Sequence, residues 1–97
     1  MEHKSAGWDI IIGKVPTFDK VTTDKAQALK PLEEAAEVFG AWQEWNEHPS
    51  PEGLIKVYDE CADTIQAICN LLAAFGRENF VVDMEMCACR NHKRGRM

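Results

Sequence analysis

A chain of 97 residues, 45% apolar and 28% charged, is long enough for one folded domain with a modest core and too apolar for a disordered one. Its net charge of -5 argues against a general nucleic-acid coat protein. No window is apolar for long enough to span a bilayer, and Met1-Glu2-His3-Lys4 opens without the apolar stretch of a secretory signal. A cytoplasmic location is therefore expected, with neither membrane nor nucleic-acid polymer as partner.

Residues 1–23 contain Gly7, Gly13 and Pro16 around one short apolar run, Trp8-Asp9-Ile10-Ile11-Ile12. Its β-branched residues favour extended structure. A lone strand would find no partner elsewhere in the chain, so the segment reads as an arm strapped over a helix. Thr22-Thr23-Asp24 then supplies N-cap chemistry for a helix over 25–47. Pro31 lies inside it. An interior proline loses a backbone bond and clashes one turn back, at about 3 kcal/mol. A kink or two abutting helices are expected near Lys30, with Pro31 able to open the second piece.

At about 100° per residue, Glu34, Val38, Ala41 and Trp45 share one stripe of that helix and Glu37 sits on its edge. Glu33 and Glu44 fall further round, on the flank where acidic residues belong. Glu34 and Glu37 thus point where apolar residues point. A buried unpaired charge is costly, so they require a cation or a water-filled cleft.

His48-Pro49-Ser50-Pro51 breaks the helix, and Ser50, Pro51 and Glu52 provide a cap, a first-turn proline and an acid suited to the dipole. The next helix is predicted over 51–75, with Gly76 as its C′ residue. Leu54, Val57, Cys61, Ile65, Ile68, Leu71, Leu72 and Phe75 make its stripe too wide for one neighbour, which predicts a central helix with a second subunit on one side. Glu60 and Asp63 lie at the border of that stripe. Each acidic pair is three residues apart and so falls on one helix face. Glu34, Glu37, Glu60 and Asp63 converging between two helices would form an all-oxygen cage for a hard divalent cation, magnesium or manganese. A magnesium-dependent enzyme acting on a phosphate anhydride is the expectation.

A further helix is predicted from 78 to about 91, with Phe80, Val81, Met84, Cys87 and Ala88 at mostly helical spacing. Arg90, Lys93, Arg94 and Arg96 crowd the C-terminus. The chain divides into an arm (1–23), a helical core (24–92) and a basic tail (93–97) of a single domain. Cys61 and Cys69 read as small hydrophobes in an apolar helical run. Cys87-Ala88-Cys89 with His92 has neither ribbon nor finger spacing and no second ligand pair, so zinc is not expected. His3, His48 and His92 belong to no constellation.

Four segments carry a resemblance: Glu34-Ala35-Ala36-Glu37, Glu60-Cys61-Ala62-Asp63, the lead-in Lys30-Pro31-Leu32-Glu33, and Asn91-His92-Lys93-Arg94. Together, over about 24–96, they resemble the MazG-like, all-α nucleoside triphosphate pyrophosphohydrolases, with proline where that lead-in more often has leucine. The resemblance implies an all-α helical bundle completed by oligomerisation, as a homodimer or a dimer of dimers. It implies hydrolysis of a nucleoside triphosphate to the monophosphate and pyrophosphate, with magnesium on Glu34, Glu37, Glu60 and Asp63. Lys30, Asn91, Lys93 and Arg94 would then contact phosphates or sugar. Glu34 or Glu37 is the candidate catalytic base. Some members place an aromatic residue against the base near Trp42 or Trp45, which read here rather as core or interface anchors.

Two alternatives stand beside this reading. Glu-Glu-Ala-Ala-Glu-Val at 33–38 is similar to the lead motif of phosphoribosyl-ATP pyrophosphohydrolase of histidine biosynthesis. That family usually has histidine where this chain has Gln66, and it lacks the Asn-x-x-Arg element. The other alternative is a non-catalytic helical dimer that binds nucleotides or a protein.

Overall fold

The computed structural model describes residues 8–97; His3 and the start of the arm lie outside the described residues. Those residues form three α-helices and no strand: α1 Lys25–Glu47, α2 Pro51–Ala74 and α3 Val81–Lys93. The all-α class is as expected. The chain falls into two compact units, Val15–Arg77 with α1 and α2, and Glu78–Met97 with the described part of 1–14. No helix among the described residues is long and apolar enough to cross a membrane.

In the first unit, α1 starts where its cap predicts. The Asp24 carboxylate accepts from Gln27 N at 3.0 Å, and Gln27 Oε1 accepts from Thr22 N at 3.2 Å, so two otherwise orphaned donors are satisfied together. That bond from Gln27 N is the main reason the Asp24 carboxyl is held below its ordinary value. The expected division at Pro31 does not occur, for α1 runs through it unbroken. Pro31 forfeits a single bond one turn back. The half-buried or buried face on which it lies, with Gln27, Glu34, Val38, Ala41 and Trp45, holds the flanking turns against α2.

Ser50 Oγ accepts from Gly53 N at 2.9 Å and opens α2 with Pro51 in its first turn. A Cβ at Gly53 would come within 3.1 Å of that hydroxyl and 3.7 Å of Trp45, so the capping side chain would have to shift by a few tenths of an ångström. At the other end Gly76 has φ +74°, its N–H reaches Ala73 O and the Arg77 N–H reaches Leu72 O, both at 2.9 Å. These two bonds make a Schellman motif, and the left-handed residue stops the helix. Residues 48–50 join α1 to α2 as an antiparallel hairpin, in which Gly53 faces Trp45 and Lys56 Nζ lies 3.5 Å from Glu44.

The buried face of α2 differs from the predicted stripe. Val57, Glu60, Thr64, Ala67 and Leu71 lie on it, while Cys61, Ile68 and Phe75 are exposed. Packing against one partner helix selects positions spaced alternately by three and four, which places Glu60 on the inner face rather than at its border. Ala41, Ala67 and Asn70 are the buried residues among those described, and no large side chain is fully buried. Phe39, stacked on Trp42 with ring centroids 5.8 Å apart, and Ile55 and Tyr58 face outward.

The arm straps onto α2 through a different segment from the isoleucine run. Ile10 and Ile11 of that run are 81% and 93% exposed. Residues 16–18 are instead hydrogen-bonded to α2 in extended form.

In the second unit α3 begins at Val81, three residues later than predicted, because Asn79 Oδ1 takes the Val81 N–H at 3.1 Å in a local turn. It ends later too. Lys93 is helical, Arg94 is the cap, and Gly95, at φ +72°, donates to His92 O while Arg96 N donates to Asn91 O, both at 3.0 Å. A second Schellman motif thus orders most of the stretch predicted as tail.

Candidate metal centre and its cleft

The antiparallel register of α1 and α2 carries residues 34–37 alongside 60–63. Carboxylate oxygens of Glu34, Glu37 and Glu60 lie within 4.8 Å of one another, with Glu34 and Glu60 half-buried and Glu37 exposed. Asp63, the fourth acid of the expected cage, lies outside this group of three as the side chains stand. It stands about 4.5 Å further along α2, is exposed, and lines the adjoining cleft together with Glu34.

Glu60 is the electrostatic focus. Its Oε2 is buried without a hydrogen-bond partner. Its carboxyl is pushed above the ordinary 4.5 first by burial, then by a hydrogen bond with Glu37 and the charges of Glu37, Asp63 and Glu34. The other three predicted acids therefore all bear on Glu60. Comparison with protein-family models, curated proteins and solved structures finds no match.

The donor set fits a hard cation. All three groups are carboxylates, and octahedral magnesium with oxygens at about 2.1 Å spans about 4.2 Å between opposite ligands, slightly less than the separation of at most 4.8 Å found here. The buried, unpartnered Oε2 is the atom for which a cation would compensate.

The raised Glu60 carboxyl has a consequence for stability. Between about pH 4.5 and its higher folded value, the folded chain holds a proton that the unfolded chain has released. The stabilisation is complete below 4.5 and is lost as pH rises through that window. Asp24, held low, contributes in the opposite sense. Melting temperatures measured in chelator should therefore fall with rising pH in the native protein relative to Glu60→Gln, and parallel curves would exclude this account.

Beside the triad lies a cleft of about 510 Å³ in the first unit, lined by Phe18, Thr22, Lys30, Glu34, Asp63 and Gln66 among others. Its size suits a nucleotide-scale ligand. Lys30, predicted to contact substrate, lines it and rests 3.3 Å from Glu33. That pair is exposed and weak, so the ammonium is free to turn to a stronger anion. Asn91, Lys93 and Arg94, the other predicted contacts, sit at the end of α3 in the second unit. There the Asn91 amide donates to Cys87 Sγ at 3.6 Å and accepts from Arg96 Nη1 at 3.0 Å. Trp42 and Trp45 do not line the cleft; its aromatic residue is Phe18. Phe18, Gln66 and Asn70 were missed by sequence reasoning. A pair of amides four apart, Gln66 and Asn70, in an otherwise apolar half of α2 was the available signal. All four cysteines are free thiols.

Proposed function

We propose that this chain is a cytoplasmic, magnesium-dependent nucleoside triphosphate pyrophosphohydrolase of the MazG-like all-α type, working as a homo-oligomer. One observation carries the reading: the buried, unpartnered Glu60 oxygen held among the carboxylates of Glu34 and Glu37. Four mutually repelling acids beside a nucleotide-sized cleft make little sense as a solvated surface, and a triphosphate approaches such a group only across cations. Magnesium, or manganese in its place, would be held by Glu34, Glu37 and Glu60 with Asp63 beside them, and would neutralise anhydride oxygens and acidify water.

The chain's own groups supply the rest. Glu37, the most exposed of the triad, would take a proton from the attacking water. Lys30 offers its ammonium to the phosphate chain. The cleft bounded by Phe18 receives the nucleoside end. Hydrolysis needs in-line positioning, so no serine or cysteine nucleophile is required. The outward-facing Phe39, Trp42, Ile55 and Tyr58 are proposed to meet a second copy.

A pyrophosphate-release screen over canonical and damaged nucleoside triphosphates with magnesium, phosphoribosyl-ATP included, tests the assignment. Release of monophosphate and pyrophosphate that stops in chelator is the expected result, and the preferred substrate separates the two enzyme readings. A calorimetric titration showing no specific magnesium site would leave a non-catalytic helical assembly.

A further inference from the structure

Two side-chain amides on α2 are joined to the backbone of the arm in a closed circuit. Gln66 Nε2 donates to Pro16 O at 2.9 Å and to Asn70 Oδ1 at 3.0 Å, and Asn70 Oδ1 also accepts from Phe18 N at 3.1 Å. One turn of helix therefore holds a carbonyl and an amide two residues apart in the arm. Asn70 is only 4% exposed, so its amide belongs to the interior rather than to the surface. Gln66, Asn70 and Phe18 all line the cleft that Glu34 and Asp63 border.

We infer that Gln66 and Asn70 are positioning residues whose clasp on Pro16 and Phe18 sets the arm as the wall of the cleft, and so governs the grip on the nucleoside end of the substrate. This rests on the pyrophosphohydrolase reading. The clasp holds only backbone atoms of the arm, so it places the arm without engaging the Phe18 side chain. It is separate from the carboxylate triad, so it acts on substrate affinity and leaves cation binding alone. Were it only a structural tether, its loss would lower turnover and affinity together.

Gln66→Met keeps length and apolar contact but removes both donors. Loss of these bonds should raise KM for a nucleoside triphosphate about tenfold, with kcat and the magnesium Kd within about twofold. Hydrogen exchange at the Phe18 amide should quicken in step, because the partner of that amide is no longer oriented. An unchanged KM, a fall in kcat equal to the rise in KM, or a Phe18 amide that stays protected in Gln66→Met overturns the clasp. A native protein that releases no pyrophosphate overturns the function, and the clasp's role in it.

Discussion

Glu60→Gln is expected to abolish specific magnesium binding and to cut pyrophosphate release about a thousandfold, while raising the melting temperature of the metal-free protein at neutral pH. Glu60 is the triad member with a buried, unpartnered oxygen, and it is pressed by three other carboxylates. Glutamine preserves shape but removes the charge that a cation needs. It also removes the repulsion that the metal-free fold must bear, so affinity and stability should move in opposite directions. Loss of even an indirect metal partner costs 10–100-fold in affinity on the usual scale, so removing this ligand should cost at least about 100-fold. Calorimetry, a pyrophosphate assay and helicity by circular dichroism check the three parts. Glu37→Gln and Asp63→Asn should also stop turnover with helicity intact, but the metal affinity of Asp63→Asn should suffer less, since Asp63 stands outside the triad. Native magnesium affinity in Glu60→Gln would remove the metal centre from consideration.

The second large effect concerns association. Phe39→Asp combined with Trp42→Asp is expected to convert an oligomer into a monomer. The two rings stack on each other and lie 58% and 43% exposed, next to a hairpin that fully buries no large side chain. Covering a large apolar side chain is worth about 1.5–3 kcal/mol, so losing this pair should weaken association roughly a hundredfold or more. The native melting temperature should rise with protein concentration, as it does when the folded state is linked to assembly. Sedimentation at several concentrations measures both, and a native chain that is monomeric throughout would refute the proposal.

Much of the first unit was legible residue by residue. Asp24, the Ser50-Pro51 pair and Gly76 mark helix ends because a cap bonds to groups within one turn of itself. The placement of Glu34 on the inner face of α1, with Val38, Ala41 and Trp45, followed from periodicity alone. At Pro31 the helix is not divided into two, because a propensity states a local cost and is blind to the packing that outweighs it. Cys61, Ile68 and Phe75, part of a stripe expected to be too wide for one neighbour, are exposed in the single chain, where α1 covers a narrower face of α2. The ends of α3 were off by two or three residues because the Asn79 turn and the Gly95 stop were not weighed.

By itself, then, the sequence determined the all-α class, the limits of the hairpin helices and the fact that acids occupy positions where apolar residues belong. Each of these depends on neighbours no more than a turn or two away. Tertiary structure alone decided that Glu34 and Glu37 meet Glu60 while Asp63 stands aside, and that Asn70 takes up the Phe18 amide 52 positions away. Those outcomes turn on the register in which two helices pack, and a shift of one residue, about 1.5 Å along the axis and 100° around it, would bring together a different set of side chains.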